Sequence, residues 1–246
     1  MPDFESPRLT WFGSYSKDSV KKVEALERGM AKHLQRDLDL LAKDLLTMGA
    51  MVEDATNKAI NALVRRNKAL AQEVAAGDDA INDRENQVEE TALKILALHQ
   101  PVAADLRFII TALKVNNDLE RMGDHAVSIA ERAETLADLD SVPLPGEFHK
   151  LVEVVQHMVH DSLNALVERD AALARSVCMV DDEVDRIHSF MYSAMQDVMR
   201  ANPQYIEPAI NTISATRHME RIADLATNIA EDVVFMVEGE ILRHNY

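Results

Sequence analysis

The eleven residues Asn61-Ala-Leu-Val-Arg-Arg-Asn-Lys-Ala-Leu-Ala71 occur again, with three changes, as Asn164-Ala-Leu-Val-Glu-Arg-Asp-Ala-Ala-Leu-Ala174, an offset of 103 from position 61 to position 164. The same offset carries Asp78-Asp79 onto Asp181-Asp182, Ile81 onto Val184 and Asn82 onto Asp185. A longer stretch, Glu120-Arg-Met-Gly-Asp-His-Ala-Val-Ser-Ile-Ala-Glu131, matches Glu220-Arg-Ile-Ala-Asp-Leu-Ala-Thr-Asn-Ile-Ala-Glu231, now at an offset of 100. Self-similarity at a fixed period marks one supersecondary unit used twice. The three lost residues fall between these stretches, beside Pro203 and Pro208, where a loop absorbs length changes at least cost.

Apolar spacing outward from the repeat is helical. Leu34, Leu38, Leu41, Leu45, Met48, Val52, Ala55 and Ala59 recur at three- and four-residue steps, which predicts a long amphipathic helix from about Lys32. Gly77-Asp78-Asp79 reads as a stop and an N-cap that open a second helix ending near His99. Pro101 interrupts the pattern, and a third helix runs from about Ala103 to Leu136. The expected layout is all-α: an extension outside the core over residues 1–29, a three-helix bundle over 30–138, a linker over 139–146 and a second bundle over 147–246. Seven Gly and seven Pro in 246 residues leave long helices uninterrupted, and 4% aromatics leave aliphatic residues, Ala and Met to fill helix-on-helix cores.

Charge narrows the partners. A formal net charge of −16 repels phosphate backbones and anionic headgroups, which disfavours nucleic-acid binding and electrostatic membrane attachment. No apolar run approaches the roughly 18 residues of a membrane span, and the first residues lack a leader pattern, so the cytoplasm is the expected compartment. Cys178 is the only cysteine, in an apolar setting, which rules out an intramolecular disulfide and a thiolate metal cluster and predicts a small buried hydrophobe.

Within each repeat, acidic residues fall four apart: Glu120 with Asp124, Glu220 with Asp224, Asp181 with Asp185. Such spacing puts both carboxylates on one helix face. A lone acidic pair is usually solvated surface in a chain with 42 acids, so repetition and geometry carry the argument. If the second and third helices pack antiparallel about a turn near position 101, Asp78 comes beside Asp124. The expected clusters are Asp78, Asn82, Glu120 and Asp124 in the first repeat, and Asp181, Asp185, Glu220 and Asp224 in the second. Crowded carboxylates repel unless a cation joins them, and all-oxygen ligation suits hard ions such as Mg, Mn or Fe rather than a structural zinc. Glu131 and Glu231, two turns further along, could extend the patches. Arg121 and Arg221 read as intrahelical ion-pair partners before they read as phosphate clamps, and His125 and His218, which do not align, read as core or surface histidines. No phosphate-cradling glycine loop, nucleophile elbow or paired histidine base is present, which argues against an enzyme. Gly123 and Ala223 stand where a Glu-x-x-His di-metal motif would need histidine, so a di-metal oxidase or ion store is the weaker alternative.

Tandem three-helix units, each bearing Glu-Arg-x-x-Asp-x-Ala-x-x-Ile-Ala-Glu, and the Pro101-Val-Ala-Ala-Asp-Leu-Arg107 segment before the first of them, resemble the PhoU family of phosphate-uptake regulators over roughly residues 32–240. The resemblance implies two tandem three-helix bundles, multinuclear metal binding at the acidic motifs, and a homodimer. It also implies negative regulation of high-affinity phosphate uptake and of the phosphate-starvation two-component system, through contacts with the transporter's ATPase subunit and the sensor histidine kinase, with no catalysis. The motif residues are Glu120, Asp124, Glu220 and Asp224, with Asp181 and Asp185 on the facing helix. Asn82 departs from the pattern where Asp185 stands, which predicts a weaker or less occupied first site.

Overall fold

The computed structural model describes residues 17–240, with side chains from Lys32 onward, and every regular element among them is helical. The first repeat is α1 (Lys17–Arg65), α2 (Lys68–His99) and α3 (Ala103–Ala137). The second is α4 (Gly146–Glu168), α5 (Ala171–Cys178), α6 (Asp181–Ala201) and α7 (Ile206–Glu238), with a short 3-10 turn at Pro203–Tyr205. The helix expected from about Lys32 begins at Lys17, and the extension expected over residues 1–29 otherwise lies outside the described residues.

The first turn is not where Gly77 suggested. Helix α1 closes at Arg66, whose φ of 54° is left-handed, and Asn67 caps α2 by accepting from the Leu70 N–H at 3.1 Å. The second repeat does the same with Arg169 (φ 54°) and with Asp170, which accepts from Ala172 and Leu173. This Arg-Asn/Asp pair lies inside the opening repeat, and its local hydrogen bonds beat the helix-breaking tendency of a single glycine. Gly77 sits inside α2 in open space, where glycine costs about 1 kcal/mol relative to alanine.

The repeats differ at one joint. Helix α2 is continuous, whereas its counterpart is split at Met179–Val180 into α5 and α6. The break places Asp181, Asp182 and Glu183 in the first turn of α6, where the helix dipole favours negative charge.

The third helices form the spine. Helix α3 packs on α1, α2 and α7, while α7 packs on α3, α4, α5 and α6. Residues near 125 face those near 218 and residues near 114 face those near 232, so α3 and α7 run antiparallel. Both helices are rich in buried alanine (Ala112, Ala126, Ala130, Ala223, Ala226), which allows close packing on their neighbours, and Leu119, Met122, Met219 and Ile222 are also fully buried. One hydrophobic core therefore runs through both bundles. Arg66 donates to the Leu136 and Leu139 carbonyls and Lys68 pairs with Asp138 at 2.8 Å, tying the end of α3 to the α1–α2 turn. Cys178 is buried, as expected.

Candidate metal centres and the cleft between the repeats

In the second repeat, α6 and α7 bring Asp185, Glu220 and Asp224 together, each offering one carboxylate oxygen within 4.8 Å of the other two. Glu220 Oε2 is buried without a hydrogen-bond partner, with Arg221 Nε 3.5 Å away. Burial, and then the charges of Glu220, Asp181 and Asp185, push the Asp224 carboxyl up to about 6 against the pull of Arg221. Asp181 stands at the same cluster, but its Oδ1 accepts from the Thr227 hydroxyl at 3.1 Å. Burial raises its pKa, helped by Asp185 and Asp182 and opposed by Thr227.

The first repeat places Asp78, Asn82, Glu120 and Asp124 near one another, but, unlike the second cluster, without three carboxylate oxygens within 4.8 Å of each other. Asn82 Nδ2 donates to Asp78 Oδ2 at 3.2 Å, while Asp78 Oδ1 is buried with no hydrogen-bond partner. Burial and Asp124 raise the Asp78 pKa, and burial, Asp124, Glu85 and Asp78 raise that of Glu120. Glu85, one helical turn beyond Asn82, belongs to this group although no repeat pattern marks it: its counterpart is His188. Each cluster thus holds mutually repelling carboxylates and one orphaned buried acceptor. That donor set fits a hard, oxygen-loving cation.

Beside the second cluster lies a cleft of about 780 Å³ between α3 and the α5–α7 layer, lined by Arg121 and His125 on one side and by Asp181, Asp182, Arg221, Asp224 and Glu231 on the other. Glu231 reaches this cleft, whereas Glu131 lies beside Arg132 and His218. Arg221 donates to Asp224 at 3.2 Å, and Arg121 stands 3.6 Å from Asp118, so both arginines meet carboxylates of their own helix. His125 and His218 meet across the α3–α7 seam, their Nδ1 atoms 3.3 Å apart. Burial, His218 and the two cleft arginines push the His125 pKa down to about 4, and burial with Arg132 and Arg217 lowers that of His218. Both rings are neutral near pH 7, and one donates its N–H to the other. Further along the seam Asp118 is almost fully buried, with its pKa pushed up to about 6 by burial and Asp232, against Arg121 and Lys114.

The PhoU domain profile matches residues 45–133 and 148–233, one copy on each repeat. The chain belongs to the PhoU family. The phosphate-specific transport system accessory protein PhoU homolog of Pseudomonas aeruginosa is 38% identical over 222 residues, 90% of this chain and 92% of that one. The homolog of the same name from Aquifex aeolicus is 37% identical over 213 residues, covering 87% and 96%. Among solved structures, PhoU from Pseudomonas aeruginosa superposes with a TM-score of 0.81 at 40% identity, over 84% of this chain and 99% of that one. The phosphate transport system regulatory protein PhoU from Streptococcus pneumoniae gives 0.78 at 28% identity, over 85% and 99%. The PhoU fold expected from the tandem motif is therefore the fold observed. No helix among the described residues is long and apolar enough to cross a membrane.

Proposed function

We propose that this PhoU-family protein is a cytoplasmic accessory regulator of phosphate transport, which restrains high-affinity uptake and the phosphate-starvation response when phosphate is plentiful. The observation that carries the reading is the match of both repeats to the PhoU domain, together with relatives named as phosphate-specific transport system accessory proteins across nearly the whole chain. Its partners in this reading are the transporter's ATPase subunit and the sensor histidine kinase, with nucleic acid disfavoured by the net charge of −16 and a homodimer as the working form. Asp185, Glu220 and Asp224, with Asp181 alongside, would hold one or more hard cations such as Fe, Mn or Mg. Asp78, Asn82, Glu120 and Asp124, with Glu85, would hold the second set. The ions would relieve carboxylate repulsion and fix the α2–α3 and α6–α7 helix pairs, giving the partners a defined surface.

The oxidase or ion-store alternative is not favoured, because the relatives are named for transport regulation and Gly123 and Ala223 occupy the positions a Glu-x-x-His motif needs. The test is deletion. A strain lacking the gene is expected to keep its phosphate transporter and starvation genes active in rich medium, and complementation by the full chain is expected to restore repression. A deletion strain, with no second homologue, that represses these genes normally would refute the regulatory reading.

A further inference from the structure

We propose that Arg121, Arg221 and His125 form a binding site for a tetrahedral oxyanion of the phosphate class, in the cleft between α3 and the α5–α7 layer. Positions 121 and 221 are equivalent in the two repeats, and the antiparallel packing of α3 on α7 brings both guanidiniums to the wall of one cleft. Their side chains are 53% and 49% exposed, so neither is consumed by the core. Arg121 stands 3.6 Å from the Asp118 carboxylate, beyond hydrogen-bond distance, and acts on the Glu120 carboxylate through space. Arg221 commits Nη1 to Asp224, with Nε 3.5 Å from Glu220, and its Nη2 stays uncommitted. A guanidinium carries five donors in a planar fork that matches phosphate oxygens in pairs. His125 lines the same space and meets His218.

The wider setting strengthens the assignment. Arg132 and Arg217 lie close enough to His218 to act on it electrostatically, and Arg217 is exposed and makes no ion pair among the described residues. Of these four arginines, Arg121 and Arg221 line the cleft, while Arg132 pairs with Glu131. The opposing groups are Asp181, Asp182, Asp224 and Glu231 on the α6–α7 side of the cleft. Those four carboxylates repel an anion, so the proposed seat is on the α3 side of the cleft, against Arg121 and His125. The measurement is made on chelated protein, so that phosphate held by a bound cation is not counted.

The test is calorimetric titration of inorganic phosphate into the chelator-treated full chain at low ionic strength. Saturable one-to-one binding is expected. Arg121→Gln and Arg221→Gln are each expected to weaken it about 10-fold or more, as loss of a charge-assisted hydrogen-bonding group does. Arg121→Lys, which keeps the charge and loses the fork, is expected to fall between. Arg200→Gln, on the exposed end of α6, is expected to bind as the parent does. A competition arm with phenyl phosphate separates the sources: displacement indicates a phosphoryl group carried on a larger molecule, and no displacement indicates the small free ion. No saturable phosphate binding by the folded parent would overturn the proposal, as would parental affinity in both glutamine variants with unchanged circular dichroism.

Discussion

Replacing Asp118 by asparagine is expected to stabilise the metal-free protein at neutral pH. Asp118 is 8% exposed in the α3–α7 seam, beside Asp232 and within reach of Lys114 and Arg121. Its carboxyl rises from an ordinary 3.8 to about 6, with burial as the first cause and the Asp232 charge as the second. The folded state therefore holds this proton more tightly than the unfolded chain. Between about 3.8 and 6 it binds more protons than the unfolded state, so this group's contribution to stability falls as pH rises through that window. At 1.36 kcal/mol per pH unit, the charge costs the fold up to about 3 kcal/mol above pH 6. Attraction to Arg121 and Lys114 is already inside that net figure, and relaxation lowers it, so about 1–3 kcal/mol is expected for Asp118→Asn at pH 7.5. For a chain of this size that corresponds to a melting temperature higher by roughly 3–10 °C. The assay is thermal and urea unfolding with chelator present, at pH 7.5 and pH 5. The advantage is expected to shrink at pH 5, where the parent's own Asp118 is protonated. A variant less stable than the parent at pH 7.5 would refute the reasoning and show that the Arg121–Asp118 pair outweighs desolvation, and an advantage of equal size at both pH values would show that titration is not its source.

The remaining predictions bear on the clusters and the turns. Replacing Glu220 and Asp224 together with alanine is expected to abolish metal at the second cluster while leaving the fold intact or the apo form stabilised; elemental analysis of purified protein checks it, and full metal content in the variant would mean these groups are not ligands. Asn82→Asp removes the amide that donates to Asp78 and adds a charge, so the first cluster is expected to bind Mn about tenfold more tightly or better, read by titration against a metal-sensitive dye. Asn67→Ala and Asp170→Ala each delete a helix cap and are expected to cost about 1 kcal/mol apiece, additively because they belong to separate turns; urea unfolding of the single and double variants measures it.

Much of this molecule is written locally and much of it twice. The three helices of the first repeat and the convergence of Asp185, Glu220 and Asp224 follow from helical spacing plus an antiparallel hairpin, whereas the second repeat has four α-helices where three are expected. Gly77 is the conspicuous breaker, yet the turn between α1 and α2 is set by a polar cap, Asn67, preceded by an arginine in the left-handed conformation. The split between α5 and α6 has no such signal: Val180 stands there, while the glycine at the equivalent position in the first repeat remains helical. Glu85 carries no repeat signal, because its counterpart is a histidine.

The histidine pair shows why repeats reveal equivalence more readily than contact. Aligning the copies sets His125 against Leu225 and His218 against Asp118, which argues against any shared role. Contact in an antiparallel pair of repeats obeys a different rule: moving forward along α3 means moving backward along α7. His125 therefore meets His218 just as Lys114 meets Asp232 at 2.6 Å. Only residues close to the crossing point, such as Arg121 and Arg221, are both equivalent and near one another. Away from that point the two halves are free to diverge, and they do, with neutral histidines on one side and a buried carboxyl beside Asp232 on the other. Duplication supplied two similar acidic clusters, and the seam between the copies is where this chain acquired groups that neither repeat contains alone.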